Sequence, residues 1–344
     1  LDFNVYLKII MFSVWVLTIM GLGGEVMICL DAPSHKKDVC EALLRRAQLN
    51  SHQQLAIEEM LKLQQIGSEG EYKLKLFFRD LALGEPHLLF FNYEALKFER
   101  FTYQMDAIFI CERFILLLEN KHIAGDIYYD EVTHQFWREY NGERLALTDP
   151  FAQVMRHEDW MLEFLMDIQI SMPVISAVIL TTNSSFLHNM PKQFSIYKLP
   201  GLRIKLQQLL QTHPKIITAN TLKTIHEKLM ERYKPKKWEH PYKHIIINNG
   251  ALCHCGLDMT YKRGKFQCRC GYMSKEPLLQ GLHDYRLLVN DWITNSEFRA
   301  FFHIASEDSA NKLLMRLNLQ AIGEKRGRKY LIPENIWTNK QHYL

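Results

Sequence analysis

Two apolar runs carry the side chains whose types and spacing could do chemistry. In QMDAIFIC an aspartate, Asp106, interrupts the run, and RFILLLENKH closes on Glu119 and Lys121. Strand alternation would put Gln104, Asp106 and Ile108 on one face, and Leu117, Glu119 and Lys121 on one face of the next strand. Thirteen positions separate Asp106 from Glu119, which suits a hairpin of two strands of about five residues with a turn of about two to five around Glu112 and Arg113. Two acids and a lysine gathered this way suit phosphodiester hydrolysis. Asp106 and Glu119 can hold Mg²⁺ or Mn²⁺ through oxygen ligands, and a metal-held water can serve as nucleophile. Lys121 would orient that water or counter the charge developing on phosphate. Glu71 and the amides of Gln104 and Gln153 could complete the shell. Read in isolation, Glu119 and Lys121 equally describe a surface ion pair worth at most about 1 kcal/mol.

A second chemistry lies further along, where CHCGLDMTYKRGKFQCRCG supplies Cys253, Cys255, Cys268 and Cys270 as two CxC pairs. Four thiolates in two close pairs meet the tetrahedral sulfur preference of a structural Zn²⁺ site, with Gly256 and Gly271 placed for the turns. MTYKRGKFQ between them reads as a hairpin turning at Arg263 and Gly264, so the module resembles a zinc ribbon. Redox-active thiols and an empty site are the competing readings, and His254 is a spare ligand beside an already complete set.

The elements that must position these groups follow from periodicity. Apolar residues from Val39 to Gln65 recur at helical spacing and predict one or two amphipathic helices. GSEGE at 67–71 then reads as a glycine-containing helix start, with Glu71 in an early turn. HLLFFNYEAL, QMDAIFIC and RFILLLENKH predict strands of one sheet. TDPFAQVMRHEDWMLEFLMDI predicts a helix with Pro150 in its first turn, and VISAVILTT a buried strand. That order describes an α/β domain. Residues 201–232 show helical periodicity with caps at Thr212 and Thr221, and a linker follows from Tyr233.

Towards the C-terminus, ITNSEFRAFFHI and SEDSANKLLMRLNL predict two helices, capped by Thr294 or Asn295 and by Ser306. AIGEKRGRKYLIP predicts two short strands after them, an arrangement that resembles a winged helix. In that reading Ser309, Asn311, Lys312 and Arg316 face DNA, and the wing residues Lys325, Arg326, Arg328 and Lys329 contact phosphates. A generic three-helix interaction domain is the alternative.

Taken together, GSEGE with Glu71, YQMD with Gln104 and Asp106, LENK with Glu119 and Lys121, and DPFAQ with Gln153 resemble the nuclease-related domain (NERD) family over roughly residues 61–185. That family is similar to the PD-(D/E)xK nucleases. The resemblance implies a restriction-endonuclease-like α/β core and a metal-dependent nuclease with Glu71, Asp106, Glu119 and Lys121 in the catalytic positions. Asn120 departs from the apolar residue more usual between the acid and the lysine.

The formal net charge of +4 permits a nucleic-acid partner without requiring one, and the basic residues concentrate in the last third. Seven cysteines, four of them clustered, do not make a secreted disulfide framework, so a cytoplasmic location is expected. From Ile9 to Gly24 the chain carries no charge, which is short for a membrane span. A membrane anchor, a start placed too far upstream and a buried helix are the three readings of that stretch. The expected organisation is an apolar segment over 1–38, a helical lead-in with the nuclease-related domain over 39–200, and a helical connector and linker over 201–245. A zinc-ribbon-like module over 246–275 and a winged-helix-like domain over 276–344 would follow. The function this predicts is a metal-dependent nuclease acting on DNA; a non-catalytic or membrane-tethered nucleic-acid scaffold on the same fold is the alternative.

Overall fold

The computed structural model describes residues 27–32, 34–81, 83–97, 101–242 and 244–343. The uncharged stretch 9–24 lies outside the described residues. The chain divides into two compact units, one formed by the described residues up to Ala32 with Gln65–Lys236, the other by Ser34–Gln64 with the chain from Lys237 onward. Among the described residues no helix is long and apolar enough to cross a membrane.

Strand β1 (Met27–Asp31) precedes helices α1 (His35–Arg46) and α2 (Ser51–Arg79). A three-stranded meander follows, β2 (His87–Lys97), β3 (Phe101–Cys111) and β4 (Ile115–Lys121). Then come β5 (Gly125–Asp130), β6 (Gln135–Tyr140), β7 (Glu143–Leu147), α3 (Pro150–Asp167), β8 (Val174–Leu180), β9 (Ser185–His188), β10 (Ile196–Lys198), α4 (Leu199–Thr212) and α5 (Ala219–Arg232).

The main sheet has the order β1-β2-β3-β4-β8-β10, with β2, β3 and β4 antiparallel and β4, β8 and β10 parallel. Its central strands read as near-continuous apolar runs because helices cover both faces. Phe90, Ile108 and Leu117 pack with Trp160 and Phe164 of α3 and Ile225 of α5 on one side. Leu89, Phe109 and Leu116 pack with Leu74 and Phe78 of α2 and Leu206 of α4 on the other. The helices predicted over 201–232 are therefore part of this core, not a connector outside it. Their capping also differs from expectation. Thr218 caps α5 by accepting from the Thr221 amide, while Thr212 ends α4 with its hydroxyl on the Gln208 carbonyl.

The region between Lys121 and Asp149, for which periodicity predicts nothing, forms the meander of a second sheet, β7-β6-β5-β9. Ile127, Tyr129 and Phe136 pack there against Phe151 and Val154 of α3. The helix is thus held from two sides, and its start is set as predicted, with the Asp149 side chain accepting from the Phe151 amide and Pro150 in the first turn.

GSEGE does not start a helix; it lies in the interior of the 29-residue α2. A glycine there costs roughly 0.5–1 kcal/mol against alanine, so a packing reason is needed, and Gly70 has one. A β-carbon at Gly70 would lie 2.7 Å from Asn120 Nδ2, from His122 Cβ and from Thr181 Oγ1. Only glycine lets α2 press this closely on the ends of β4 and β8.

In the second unit α1 and the first part of α2 join a cysteine-bearing ribbon, β11 (Ala251–Leu252), β12 (Asp258–Lys262), β13 (Lys265–Gln267) and β14 (Met273–Ser274), paired antiparallel in that order. Next come α6 (Glu276–Leu288), β15 (Trp292–Thr294), α7 (Asn295–Phe302), α8 (Glu307–Arg316), β16 (Ala321–Ile322), β17 (Lys329–Leu331) and α9 (Lys340–Tyr343). Helix, strand, two helices and two strands, with the sheet order β15-β17-β16, is the connectivity of a winged helix. Thr294 caps α7 through a capping box with Glu297, and Ser306 caps α8. The ribbon and the winged helix share one core, in which Met259 and Phe266 pack with Leu279, Leu282, Phe298 and Phe302.

Candidate active site and cysteine cluster

The site in the first unit forms where the meander loses its regularity. Phe90 and Ile108 face the α3 side of the sheet, and so do Tyr93 and Met105, although strict alternation would put the second pair on the other face. Both strands exchange faces at the same level, the level of Asn92 and Asp106. Asn92 there has a left-handed backbone, φ +53°, which breaks the two-residue repeat. The even alternation predicted through Gln104, Asp106 and Ile108 therefore does not hold.

At this level the β3–β4 ladder, paired from Ile110–Ile115 to Ala107–Leu118, also ends. The next amide on β4, Asn120 N–H, donates instead to Asp106 Oδ2 at 2.8 Å. Asp106 thereby replaces a backbone acceptor that the splaying strands withdraw.

On β4, Glu119 and Lys121 share a face as predicted. Lys121 Nζ donates to Glu119 Oε1 at 2.7 Å and to Gln153 Oε1 of α3 at 2.8 Å. Glu119 is 4% exposed. One helical turn beyond Gln153, His157 brings Nδ1 to 3.8 Å from Glu119 Oε2. Burial, then Arg156 and Lys121, lower the His157 pKa to about 4, so the imidazole is neutral near pH 7 and the contact is not an ion pair.

Glu71 reaches the site from α2, the element whose approach Gly70 permits. Its Oε2 accepts from Asn92 Nδ2 at 2.7 Å, and the same amide nitrogen donates to the Ala32 carbonyl at 3.1 Å. Asn92 is 6% exposed, and its Oδ1 has no hydrogen-bond partner among the described residues.

The electrostatics follow from this crowding. Burial first, then the charge of Glu119, with a contribution from Glu71, push the Asp106 carboxyl well above its ordinary range. Burial likewise raises Glu119, against the pull of Lys121 and Arg156. Asp106 and Glu119 lie close enough to act on each other, Glu71 is nearby, and Lys121 is bonded to Glu119. Such a donor set, short of positive charge and with a buried amide oxygen unpaired beside it, fits a divalent cation held through oxygen.

The structure thus brings together Glu71, Asp106, Glu119, Lys121 and Gln153. It does not bring in Gln104, which is exposed and has no hydrogen bond to the group among the described residues. Two residues that sequence reasoning missed are present instead. His157 had a signal in its position four residues after Gln153 on the inner stripe of a helix. Asn92 had only its polarity within the run HLLFFNYEAL.

The second candidate centre is simpler. The Sγ atoms of Cys253, Cys255, Cys268 and Cys270 all lie within 4.8 Å of one another, a group that can hold a metal ion. The two halves repeat one turn. Cys253 N–H donates to the Leu257 carbonyl and Gly256 N–H to that of Cys253; Cys268 N–H donates to Tyr272 and Gly271 N–H to Cys268. Gly256 and Gly271 take positive φ, +81° and +92°, as the predicted turns require. Arg263 and Gly264 also take positive φ and turn the hairpin where predicted.

Of the residues expected to face DNA on α8, Lys312 and Arg316 are exposed, while Asn311 Oδ1 accepts from Asn295 Nδ2 at 2.6 Å and is engaged within the fold. Lys325, Arg328 and Lys329 are exposed on the wing, where Arg328 lies over the Tyr330 ring; Arg326 lies in the short 3₁₀ turn between β16 and β17.

No curated protein and no solved structure matches the chain. A family model does match, over residues 66–181, and its span holds every member of the acidic site from Glu71 to Gln153. Residues 66–181 are thus similar to the nuclease-related domain (NERD), in the unit that holds Glu71, Asp106, Glu119 and Lys121.

Proposed function

We propose that this protein is a metal-dependent nuclease that hydrolyses phosphodiester bonds in DNA, with Glu71, Asp106, Glu119 and Lys121 as its working residues. The observation that carries the reading is the clustering of Asp106 and Glu119, with Glu71 nearby, beside a Lys121 that is bonded to Glu119, within the span matching the nuclease-related domain.

Asp106 and Glu119 would hold Mg²⁺ or Mn²⁺, which would supply a water of lowered pKa and neutralise phosphate charge. The chain's own groups have separate tasks. Lys121, fixed between Glu119 and Gln153, presents an N–H to the charge that develops on a phosphate oxygen. Gln153 supports Lys121 from α3. Glu71, oriented by Asn92, adds a third carboxylate that can accept a proton from an attacking water. Neutral His157 lines the far side of Glu119 and keeps solvent from it.

In the second unit the four cysteines would hold Zn²⁺ as a structural ion, since four sulfur ligands leave no open position. The winged helix would deliver DNA, with Lys312 and Arg316 on α8 and Lys325, Arg326, Arg328 and Lys329 on the wing as its contacts.

The test is incubation of purified protein with single- and double-stranded DNA, with Mg²⁺, with Mn²⁺ and in buffer freed of both. Cleavage that needs the ion and is lost in Glu119→Ala is the expected result. Cleavage that survives Glu119→Ala, or needs no ion, overturns the mechanism. Salt-sensitive DNA binding without cleavage under either ion would make the protein a nucleic-acid scaffold on a nuclease fold.

A further inference from the structure

The ribbon hairpin carries a feature that metal binding does not explain. Lys262, Arg263, Gly264 and Lys265 form its tip, three cations in four residues, and all three are exposed. Lys262 and Lys265 are directly opposed across the strands, a like-charge pairing that destabilises a hairpin. Among the described residues none of these three cations has an acidic partner within ion-pair distance, and neither has Lys312 or Arg316 on α8. Several other cations of the same unit are matched, Arg46 with Asp284, Arg286 with Glu334 and Lys340 with Glu276.

Position adds to the charge. Gly264 lines a small cleft together with Leu313, Arg316 and Leu317 at the C-terminal end of α8. The hairpin tip and the last turn of α8 are therefore neighbours, held by the core that ribbon and winged helix share. The opposite end of α8 begins with Glu307 and Asp308, both exposed, which repel phosphate. The cationic ground thus runs from the end of α8 onto the ribbon.

We propose that the β12–β13 hairpin tip and the C-terminal end of α8 form one phosphate-binding surface, and that its occupant is the backbone of a DNA duplex. This rests on the reading that the winged helix engages DNA, and gives the ribbon a direct part in it. A duplex of B form suits the surface because its wide major groove admits a helix such as α8, whereas the deep, narrow major groove of duplex RNA does not. The cysteine cluster at the hairpin's base sets the position of the tip relative to α8.

The test measures binding of a short DNA duplex as a function of salt for the full chain, for Lys262→Gln/Arg263→Asn/Lys265→Gln and for Lys312→Gln/Arg316→Gln. Asparagine is chosen at 263 because it tolerates the left-handed backbone found there. Bound zinc and circular dichroism report whether each variant folds, and Lys262→Arg/Lys265→Arg restores charge without lysine. Each lost phosphate contact lowers the log–log salt slope by about 0.9. The hairpin variant is expected to lower it by roughly 2 to 3 and to weaken binding at least tenfold at moderate salt, with the arginine variant near wild type. An unchanged slope in the hairpin variant, with a reduced slope in the α8 variant, overturns the hairpin surface and leaves the winged-helix reading standing. No change in either variant, or no binding, overturns both. Duplex RNA competing as well as DNA overturns the assignment of the occupant.

Discussion

Each unit of this protein takes acidic side chains out of water, and the two treat them differently. In the second unit Asp284 is fully buried on α6 and two guanidiniums close on it, Arg46 Nε at 2.7 Å and Arg45 Nη2 at 2.8 Å. Arg46 Nη1 donates to the carbonyls of Gly250 and Asn248, and the guanidinium lies over the Phe301 ring. Charge and hydrogen bonds are complete within the chain. In the first unit Asp106 and Glu119 lie together with Glu71 nearby, Lys121 is bonded to Glu119, and desolvation holds Asp106 and Glu119 above their ordinary range. A closed arrangement of the first kind stabilises a fold, or at least costs little once formed. An arrangement short of cation costs stability in the chain by itself, and its deficit is relieved when a cation arrives. Local chemistry is similar in the two places; what differs is whether the surrounding elements supply the missing charge.

This contrast can be broken by substitution. Asp284→Ala leaves Arg46 buried without its partner and is expected to cost about 3–5 kcal/mol in urea unfolding. A loss below about 1 kcal/mol, the range of an exposed pair, would put Asp284 in the same class as a surface acid. Asp106→Asn is expected to leave the stability of metal-free protein unchanged or raised, while abolishing cleavage.

Lys121→Ala removes the ammonium held between Glu119 and Gln153, and cleavage is expected to fall roughly 10²–10³-fold. Steady-state rates at saturating Mg²⁺ would show it in kcat; an effect confined to KM would make Lys121 a binding group only.

Asn92 has a backbone role and a side-chain role, and these separate. Asn92→Ala is expected to cost about 1–3 kcal/mol through lost buried hydrogen bonds, with strain at its positive φ in addition. Asn92→Gly accepts that φ and should recover part of the stability, yet leave Glu71 unsupported and the affinity for Mn²⁺ lowered. Equal Mn²⁺ affinity in Asn92→Gly and wild type, by calorimetry, would confine Asn92 to the backbone.

The smallest effect is a pH dependence with two opposing parts. The folded pKa of Asp106 is raised, so the native state binds more protons than the unfolded state above the ordinary carboxylate range, and stability falls as pH rises through that window. His157 is the reverse. Its folded pKa is lowered from 6.5 to about 4, so stability falls as pH drops from about 6.5 towards 4. Asp106→Asn should flatten the first slope and His157→Gln the second in metal-free protein; slopes unchanged in both would mean that folding shifts neither group's pKa.

Much of this was legible in the residues. The runs around Phe90, Ile108 and Leu117 predict strands because helices on both faces demand apolar side chains at nearly every position. Asp149 and Pro150 predict the start of α3, and the CxC pairs with their glycines predict two turns, because each signal is complete within a few residues. Gln104 shows where that reasoning fails. Alternation is a local rule, and the left-handed backbone of Asn92, on the neighbouring strand, marks where it breaks. GSEGE fails similarly, since Gly70 reads as a helix boundary until Asn120, His122 and Thr181 are seen against it. The predicted division between ribbon and winged helix also gives way to a common core, which no periodicity can show.

What the sequence by itself determined is the inventory: Asp106, Glu119 and Lys121 on successive strands, the four thiols in two pairs, and the caps of α3, α7 and α8. Those depend on neighbours along the chain, where side-chain periodicity and turn chemistry act. Only the tertiary structure decided that Asp106 accepts from the Asn120 amide, that Asn92 and His157 join Glu71 and Glu119, and that Arg316 lies beside the ribbon hairpin. Each of these joins segments distant along the chain, and their meeting is set by strand register and by how closely helices approach the sheet, which no short window of residues contains.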